Sequence, residues 1–201
     1  MTSSDIDEIE RTIGYQGIFR VVCLKMRHRR FDGGWTKILT REVFDRGQAV
    51  GVVPYDPERD EVVLIEQFRC GAYIAGWSSW MLEIVAGIID EGEQAEDVAR
   101  REMQEETGMV VTALEPIARF MPSPGAVSET VDMYVGRIDA AAADAYAGVA
   151  TEGEDIRVCR MAAQDAIDLL PTGRIDTAIT LVGLQWLALH RAELRARWLR
   201  P

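Results

Sequence analysis

Residues 87–109, GIIDEGEQAEDVARREMQEETGM, carry the most informative pattern in this chain. It predicts a helix over residues 94–107 that ends at Gly108, because glycine is the usual residue just past a helix C-terminus. Apolar residues recur at helical spacing and give this helix one apolar side. These residues are Ala95, Val98, Ala99 and Met103.

Three glutamates in this helix break local rules. Glu102 and Glu106 lie one turn apart on the same side, where like charges repel each other. Both lie near the helix C-terminus, where the macrodipole disfavours negative charge, and Glu105 adds a third acid. Such conflicts are expected at functional sites, and a hard divalent cation with several oxygen ligands would resolve this one. An exposed acidic helix end is the plainer alternative.

The segment resembles the Nudix box, G-x5-E-x7-R-E-U-x-E-E-x-G-U with U bulky and apolar, at every position. The matching residues are Gly87, Glu93, Arg101, Glu102, Met103, Glu105, Glu106, Gly108 and Met109. The resemblance implies an α/β (α+β) fold, the Nudix α/β/α sandwich around a mixed sheet. It also implies that Glu102, Glu106 and the carbonyl of Ala86 bind a metal. The expected cofactor is Mg²⁺, with Mn²⁺ as an alternative.

The rest of the chain resembles the ADP-ribose pyrophosphatase branch of that family. Ser123-Pro124-Gly125 resembles the signature of this branch, and Arg69 resembles its phosphate-contacting arginine. GEDIRV at residues 153–158 resembles the segment that carries a further metal ligand and the general base. LLPTGRIDTAITLVGLQWLALHR at residues 169–191 resembles the C-terminal helix region. The likeness covers almost the whole chain.

The resemblance implies a catalytic set. Glu154 is expected as a further metal ligand, and Glu152 as the general base that draws a proton from the attacking water. Glu105 and Arg101 complete the set, because Arg101 lies four residues before Glu105 and can pair with it. Glu154 and Asp155 stay open as alternative bases.

The expected substrate contacts lie throughout the chain. Arg69 suits a phosphate because its planar guanidinium meets two oxygens at once. The full set is Ile18, Phe19, Arg41, Arg69, Ile88, Ser123, Gly125 and Glu129.

The branch also implies a homodimer that exchanges a small N-terminal antiparallel sheet. Arg41, Ile18 and Phe19 would then contact the adenine of the partner's substrate. Ile18 stands where branch members can place an aromatic residue, which weakens base stacking. For Phe19, the alternative to an adenine contact is that it is an ordinary residue of the hydrophobic core.

Composition excludes several classes of protein. The 201 residues carry a formal net charge of −11, the opposite of what a nucleic-acid binder requires. Three widely spaced cysteines and an acidic, polar N-terminus predict a cytoplasmic protein without disulfides or a signal peptide. No apolar run reaches the roughly 18 residues that a membrane span needs.

Hydrophobic periodicity and turn signals predict the order of elements. Residues 1–45 are expected to form an N-terminal dimerisation subdomain, and residues 46–201 the catalytic domain. Residues 139–155 are expected to form a mobile loop with one helical turn. Strands are predicted at 15–30, 35–44, 48–55, 61–68, 80–86, 110–121, 128–138 and 156–161, and further helices at 162–170 and 176–199.

The sequence therefore predicts a hydrolase that splits ADP-ribose, or another ADP-sugar, at its pyrophosphate. The alternative within the same chemistry is a GDP-mannose or other nucleoside-diphosphate-sugar pyrophosphatase. A remote alternative is a ligand sensor without catalysis, but the chain keeps every acid of the box.

Overall fold

The computed structural model describes residues 2–200, with the side chain of Glu152 outside the described part. The chain forms two compact units. The first is Met1–Gly47 with Met121–Thr130, and the second is Gln48–Phe120 with Val131–Pro201. The stretch 121–130 thus belongs with the N-terminal residues, although the sequence analysis placed it in the catalytic domain.

The first unit is built on a three-stranded antiparallel sheet of order β1-β2-β3. Its strands are β1 (Ile6–Gln16), β2 (Arg20–His28) and β3 (Leu39–Asp45). The single strand predicted over 15–30 was wrong, because the chain turns where the Gly17 amide donates to the Phe19 carbonyl at 2.9 Å.

The acidic N-terminus forms a strand that the sequence analysis did not predict. Its acids face bases of the neighbouring strand, with Glu10 and Lys25 joined at 2.7 Å. Such opposite charges across an antiparallel pair stabilise it, so a polar segment becomes a strand. The register pairs Ile6 with His28 and Gln16 with Arg20.

Residues 121–130 attach to the edge of this sheet. The Phe44 amide donates to the Ala126 carbonyl at 2.8 Å, and the Ser128 amide donates to the Phe44 carbonyl at 3.0 Å. The Ser128 hydroxyl also donates to Asp45 at 2.6 Å. Backbone pairing therefore ties the predicted Ser-Pro-Gly signature to β3.

The second unit holds a mixed eight-stranded sheet. Six of its strands follow the order β10-β11-β5-β4-β9-β8, while β6 pairs with β5 and β7 pairs with β4. The strands are β4 (Gln48–Asp56), β5 (Glu61–Phe68), β6 (Trp80–Glu83), β7 (Val85–Ile89), β8 (Ala113–Phe120), β9 (Thr130–Arg137), β10 (Tyr146–Ala147) and β11 (Ile156–Ala162).

The predicted strand 80–86 is in fact two strands. The chain breaks at Ile84, whose amide donates to the hydroxyl of Thr180 at 3.1 Å instead of to a neighbouring strand. Because this buried amide has a side-chain partner, the strand can change neighbours there at little cost. The segment therefore joins β5 before the break and β4 after it.

Helices cover both faces of this sheet. α2 (Ala95–Thr107) packs on one face, and α3 (Ala163–Asp168) and α4 (Ala178–Trp198) pack on the other, while the short helix α1 (Cys70–Ile74) follows β5 and buries no residue. Successive strand residues point to opposite faces, so Val52 packs with α2 whereas Val53 packs with α3 and α4. The two cores of the predicted α/β/α sandwich are thus confirmed. Among the described residues, no helix combines the length and apolar character needed to cross a bilayer.

The segment predicted as a loop over 139–155 contains short ordered elements. It holds 3-10 turns at Ala140–Ala142 and Ala150–Glu152, with β10 between them. Backbone hydrogen bonds fix it to the end of α2, where the Asp144 amide donates to the Thr107 carbonyl at 3.1 Å. The prediction underestimated its order because these contacts are distant in sequence.

Candidate active site

Helix α2 presents its acids at a buried end. It ends at Gly108 in the left-handed conformation, with φ of 72°, as the sequence predicted. Val98, Ala99 and Met103 are fully buried against the sheet. Because Glu102 and Glu106 share this side of the helix, packing of the apolar residues carries both carboxylates inward.

Glu106 is the most deeply buried acid of the box, with 3% of its surface exposed. Its Oε2 accepts a hydrogen bond from the Ala86 amide at 3.2 Å, and its Oε1 accepts one from Gln67 Nε2 at 3.4 Å. Gln67 is itself buried on β5. Both of these hydrogen-bond donors are neutral, so no ion pair to this carboxylate is formed among the described residues.

Glu102 lies directly against the backbone of β7. A Cβ atom added at Gly87 would stand 2.1 Å from the Glu102 carboxyl carbon. Real Cβ atoms do not approach so closely, so only glycine admits this carboxylate. The glycine at the start of the box is therefore explained by the space that Glu102 occupies.

Burial raises the pKa of both acids. Desolvation is the main cause in each, and it brings the pKa of Glu102 to about 7 and that of Glu106 to about 8. The negative charge of Glu154 raises both pKa values further, and the charge of Glu102 raises that of Glu106. These acids therefore share one electrostatic environment.

This environment matches the needs of a divalent cation. Closely spaced carboxylate oxygens with raised pKa values gain stability when a cation replaces their protons. Within residues 2–200, with Glu152 aside, no three His, Cys, Asp or Glu side chains converge closely enough to hold an ion together. Glu102 and Glu106 therefore fit a divalent cation only as part of a larger set, which further oxygen ligands must complete.

Arg101 binds the acids around it. Its Nη1 donates to Glu105 at 3.0 Å and to Glu102 at 2.9 Å. Its Nη2 lies 3.5 Å from Glu93, the first acid that the box pattern specifies. The pairing of Arg101 with Glu105 predicted from their spacing is confirmed, and Arg101 also orients Glu102.

Arg69 lies at the end of β5 and binds an acid that the sequence analysis missed. Its Nε donates to Glu83 Oε2 at 2.7 Å. Glu83 is buried on β6, and burial raises its pKa although Arg69 lowers it. The sequence did contain a signal for Glu83 and Gln67, because each is a polar residue within an otherwise apolar strand.

The hairpin loop between β10 and β11 is fixed to α2 from one side. The Gly148 amide donates to the Glu105 carbonyl at 3.0 Å, and Glu154 Oε2 accepts from the Val149 amide at 3.0 Å. The predicted base Glu152 lies here, but its side chain is outside the described residues. Asp155, the other alternative base, is exposed.

Of the other predicted contacts, only Ile88 belongs to the second unit, where it is the second residue of the box and lies on β7. The remaining predicted residues belong to the first unit. Ile18 is 95% exposed, whereas the Phe19 ring packs edge-on against Phe44 at 5.4 Å. Of these two neighbours, Ile18 is the one with its side chain free for a ligand.

Arg41, Ser123 and Gly125 are exposed, and Glu129 is buried. Arg41 Nη1 donates to the Thr40 carbonyl at 2.9 Å. Glu129 Oε1 lies 3.3 Å from Arg46 Nε. Within the first unit, this pair gives Glu129 a fixed place beside a cation.

The fold and the box geometry define the class of this protein, and comparison with known families agrees. The model of the NUDIX domain matches residues 45–177. The chain therefore belongs to the Nudix family.

Individual relatives extend the match to nearly the full chain. The ADP-ribose pyrophosphatase of Escherichia coli (strain K12) is 44% identical over 195 residues, covering 97% of this chain and 93% of the relative. That of Haemophilus influenzae is 37% identical, covering 99% and 93%. The GDP-mannose pyrophosphatase of Cronobacter sakazakii is 38% identical, but covers only 75% and 78%.

A solved structure described as an ADP compounds hydrolase has the same fold. It superposes with a TM-score of 0.73 at 20% identity, covering 95% of this chain and 97% of that one. At this identity the likeness supports the fold alone.

Proposed function

We propose that this protein hydrolyses the pyrophosphate bond of ADP-ribose to AMP and ribose 5-phosphate. One observation carries the proposal: helix α2 brings the Glu102 carboxylate against Gly87 and the Glu106 carboxylate against the Ala86 amide, so both acids meet the same stretch of β7. Relatives named ADP-ribose pyrophosphatase that match over nearly the whole chain support the choice of substrate.

The metal ligands proposed are Glu102, Glu106, Glu154 and the carbonyl of Ala86. Mg²⁺ is the proposed ion, with Mn²⁺ as an alternative, because the donors are all hard oxygens. When bound, the ion neutralises charge on the phosphoryl oxygens and lowers the pKa of the attacking water. Glu154 is free for this role once it releases the Val149 amide.

The other side chains orient substrate and move a proton. Arg69 binds a phosphate of the substrate, and Ile88, within the box, contacts the substrate. Glu152 takes the proton from the attacking water. Arg101 holds Glu105 and Glu102 in place through its two short ion pairs.

Residues of the first unit are proposed to select the nucleoside. Ser123, Gly125 and Glu129 line the ribose side, and Ile18, Phe19 and Arg41 contact adenine in the partner subunit. The proposal of a homodimer with an exchanged N-terminal sheet is supported by apolar side chains that β1 leaves exposed, namely Ile6, Ile9, Ile13 and Tyr15. Light scattering that shows a monomer at micromolar concentration would refute it.

The state of the cysteines supports a proposal about the compartment of the cell in which the protein acts. The described cysteines Cys23, Cys70 and Cys159 are all free, which suits the reducing cytoplasm that we propose.

The first experiment is phosphate release through a coupled phosphatase, with and without Mg²⁺. The panel is ADP-ribose, ADP-glucose, GDP-mannose, NADH and dGTP. A dominant, Mg²⁺-dependent rate on ADP-ribose is expected. No turnover of any compound would favour the sensor alternative.

GDP-mannose is the second candidate substrate. The exposed Ile18 leaves the choice of base less constrained, because an aliphatic contact discriminates adenine from guanine less than a stacked ring does. The shorter match to the GDP-mannose relative argues against it. A higher kcat/KM on GDP-mannose than on ADP-ribose would leave the chemistry intact and reverse the assignment of the base pocket.

The base is tested by Glu152→Gln, with Asp155→Asn as its matched control in the same loop. The Glu152 variant should lose about a hundredfold in kcat with little change in KM, since a general base acts on the reaction and not on binding. Near-full turnover in Glu152→Gln and loss in Asp155→Asn would transfer the role to Asp155.

A further inference from the structure

The Glu83 carboxylate is a buried charge for which the chemistry described above has no use. Only 9% of its surface is exposed, on the short strand β6. Burying a carboxylate is costly unless a cation and hydrogen bonds compensate it. We therefore expect the role of Glu83 to depend on the cation that compensates its charge.

That partner is Arg69, and the contact uses one particular atom. Arg69 Nε donates to Glu83 Oε2 at 2.7 Å, while the Arg69 backbone amide donates to the Ser79 carbonyl at 2.7 Å. Among the described residues, no acceptor takes a hydrogen bond from either Nη group of Arg69. The guanidinium plane is thus fixed at its inner edge while its two outer nitrogens stay available.

The same guanidinium acts on Glu106, one of the acids that are proposed to bind the metal. Its positive charge lowers the pKa of Glu106 against the larger effect of burial. Gln67, two residues before Arg69, hydrogen-bonds Glu106 directly. A phosphate bound by the free Nη groups would therefore lie beside the carboxylates that are proposed to hold the cation.

We propose that Glu83 is a positioning residue for substrate binding, which fixes the Arg69 guanidinium through Nε and leaves both Nη groups for a phosphate of the substrate. The proposal rests on the proposed function, which gives Arg69 its phosphate. A guanidinium held in this way loses little conformational freedom when it binds two phosphate oxygens.

The test is a double-mutant cycle between Glu83→Gln and Arg69→Gln. Glu61→Gln is the matched control, because Glu61 is also a strand glutamate beside an arginine, at 3.4 Å from Arg160. Two quantities are measured for each variant: kcat/KM on ADP-ribose, and the dissociation constant of AMP by calorimetry. Thermal unfolding reports whether each variant is folded.

If Glu83 acts through Arg69, Glu83→Gln should lower kcat/KM about 30-fold, mainly through KM, and weaken AMP binding about tenfold. In the Arg69→Gln background the same change should alter either quantity by less than about twofold. Glu61→Gln should stay within about twofold of the unaltered protein. Glu83→Asp keeps the charge but has a shorter side chain, so its kcat/KM and its affinity for AMP should lie between those of Glu83→Gln and the unaltered protein. It replaces Glu83→Gln if that variant does not fold.

The inference is overturned if Glu83→Gln has the same effect with and without Arg69, or if Glu61→Gln loses as much as Glu83→Gln. These outcomes differ from the result expected if the proposed function itself is wrong. The unaltered protein would then not hydrolyse ADP-ribose, but coupling of Glu83 and Arg69 in AMP binding would still support the positioning role.

Discussion

Strand β1 and helix α2 are both rich in acids, but the carboxylates differ in their exposure to solvent. On β1 the carboxylates stand in water beside a cation, as with Glu8 and Arg11 at 2.7 Å. On α2 the Glu106 carboxylate is buried with two neutral donors. Acid content alone therefore does not mark a site in this chain. Burial that raises the pKa values of neighbouring carboxylates does, because such carboxylates gain stability from a bound cation.

The largest expected difference between the two regions is in turnover. Glu106→Gln should lower kcat on ADP-ribose about a thousandfold, because it removes a charged ligand from the proposed metal site. Glu10→Gln on β1 should leave kcat within about twofold. Steady-state rates at saturating Mg²⁺ test this, and a Glu106→Gln enzyme that keeps a tenth of the activity would contradict it.

The space around Glu102 gives the next effect. Gly87→Ala places a Cβ where the Glu102 carboxyl now lies, so the carboxylate must move and kcat should fall about a hundredfold. The Mg²⁺ concentration for half-maximal rate should rise as well. Gly34→Ala in the first unit meets no atom closer than 3.8 Å and serves as control. Equal rates for the two variants would show that Glu102 tolerates displacement.

The pH dependence of stability separates the two regions without any substrate. The pKa values of Glu102 and Glu106 are about 7 and 8 in the folded protein, above the ordinary value of 4.5. The folded state therefore binds protons more tightly than the unfolded chain, so stability falls as pH rises through these values. In EDTA, Tm should drop by about 5 °C between pH 6 and pH 9.

Glu106→Gln should flatten this drop in Tm, and Mg²⁺ should raise Tm more at pH 9 than at pH 6. A melting series in both buffers checks the sign. A Tm that rises with pH in EDTA, in the unaltered protein, would show that these acids are not strained when charged.

The smallest effect is expected on β1. Removing the exposed Glu10–Lys25 pair by Glu10→Gln should shift Tm by no more than about 1 °C, since such pairs gain little over water. Added salt should reduce even that shift. A shift of several degrees would mean that β1 is buried in solution, as it would be in the proposed homodimer.

Much of the fold was predictable because its signals are local. Three of these signals depend on neighbours within a few residues: the periodicity of the box helix, the cap at Gly108 and the turn between Asp56 and Asp60. The structure confirms the helix as α2 and the two strands that flank the turn as β4 and β5. The box match likewise depends on fixed spacing. The role of Glu152 stays a prediction, since the described residues do not include its side chain.

Other features depend on partners far along the chain. The strand status of the acidic N-terminus required the bases of β2, and the break at Ile84 required the hydroxyl of Thr180, which lies 96 residues away. The attachment of residues 121–130 to the first unit depends on backbone bonds to Phe44. No local pattern contains these partners, so the sequence analysis misplaced the elements that depend on them.

The sequence by itself determined the family, the box and the two acids at helical spacing, because each of these is a matter of residue identity at short range. The packing of distant segments determines that Glu106 is buried and Glu102 partly buried, that Gly87 makes room for Glu102, and that Glu83 binds Arg69. The reason is physical: desolvation and ion pairing depend on which distant segments close around a side chain, and that is fixed only when the sheet and helix α2 pack together.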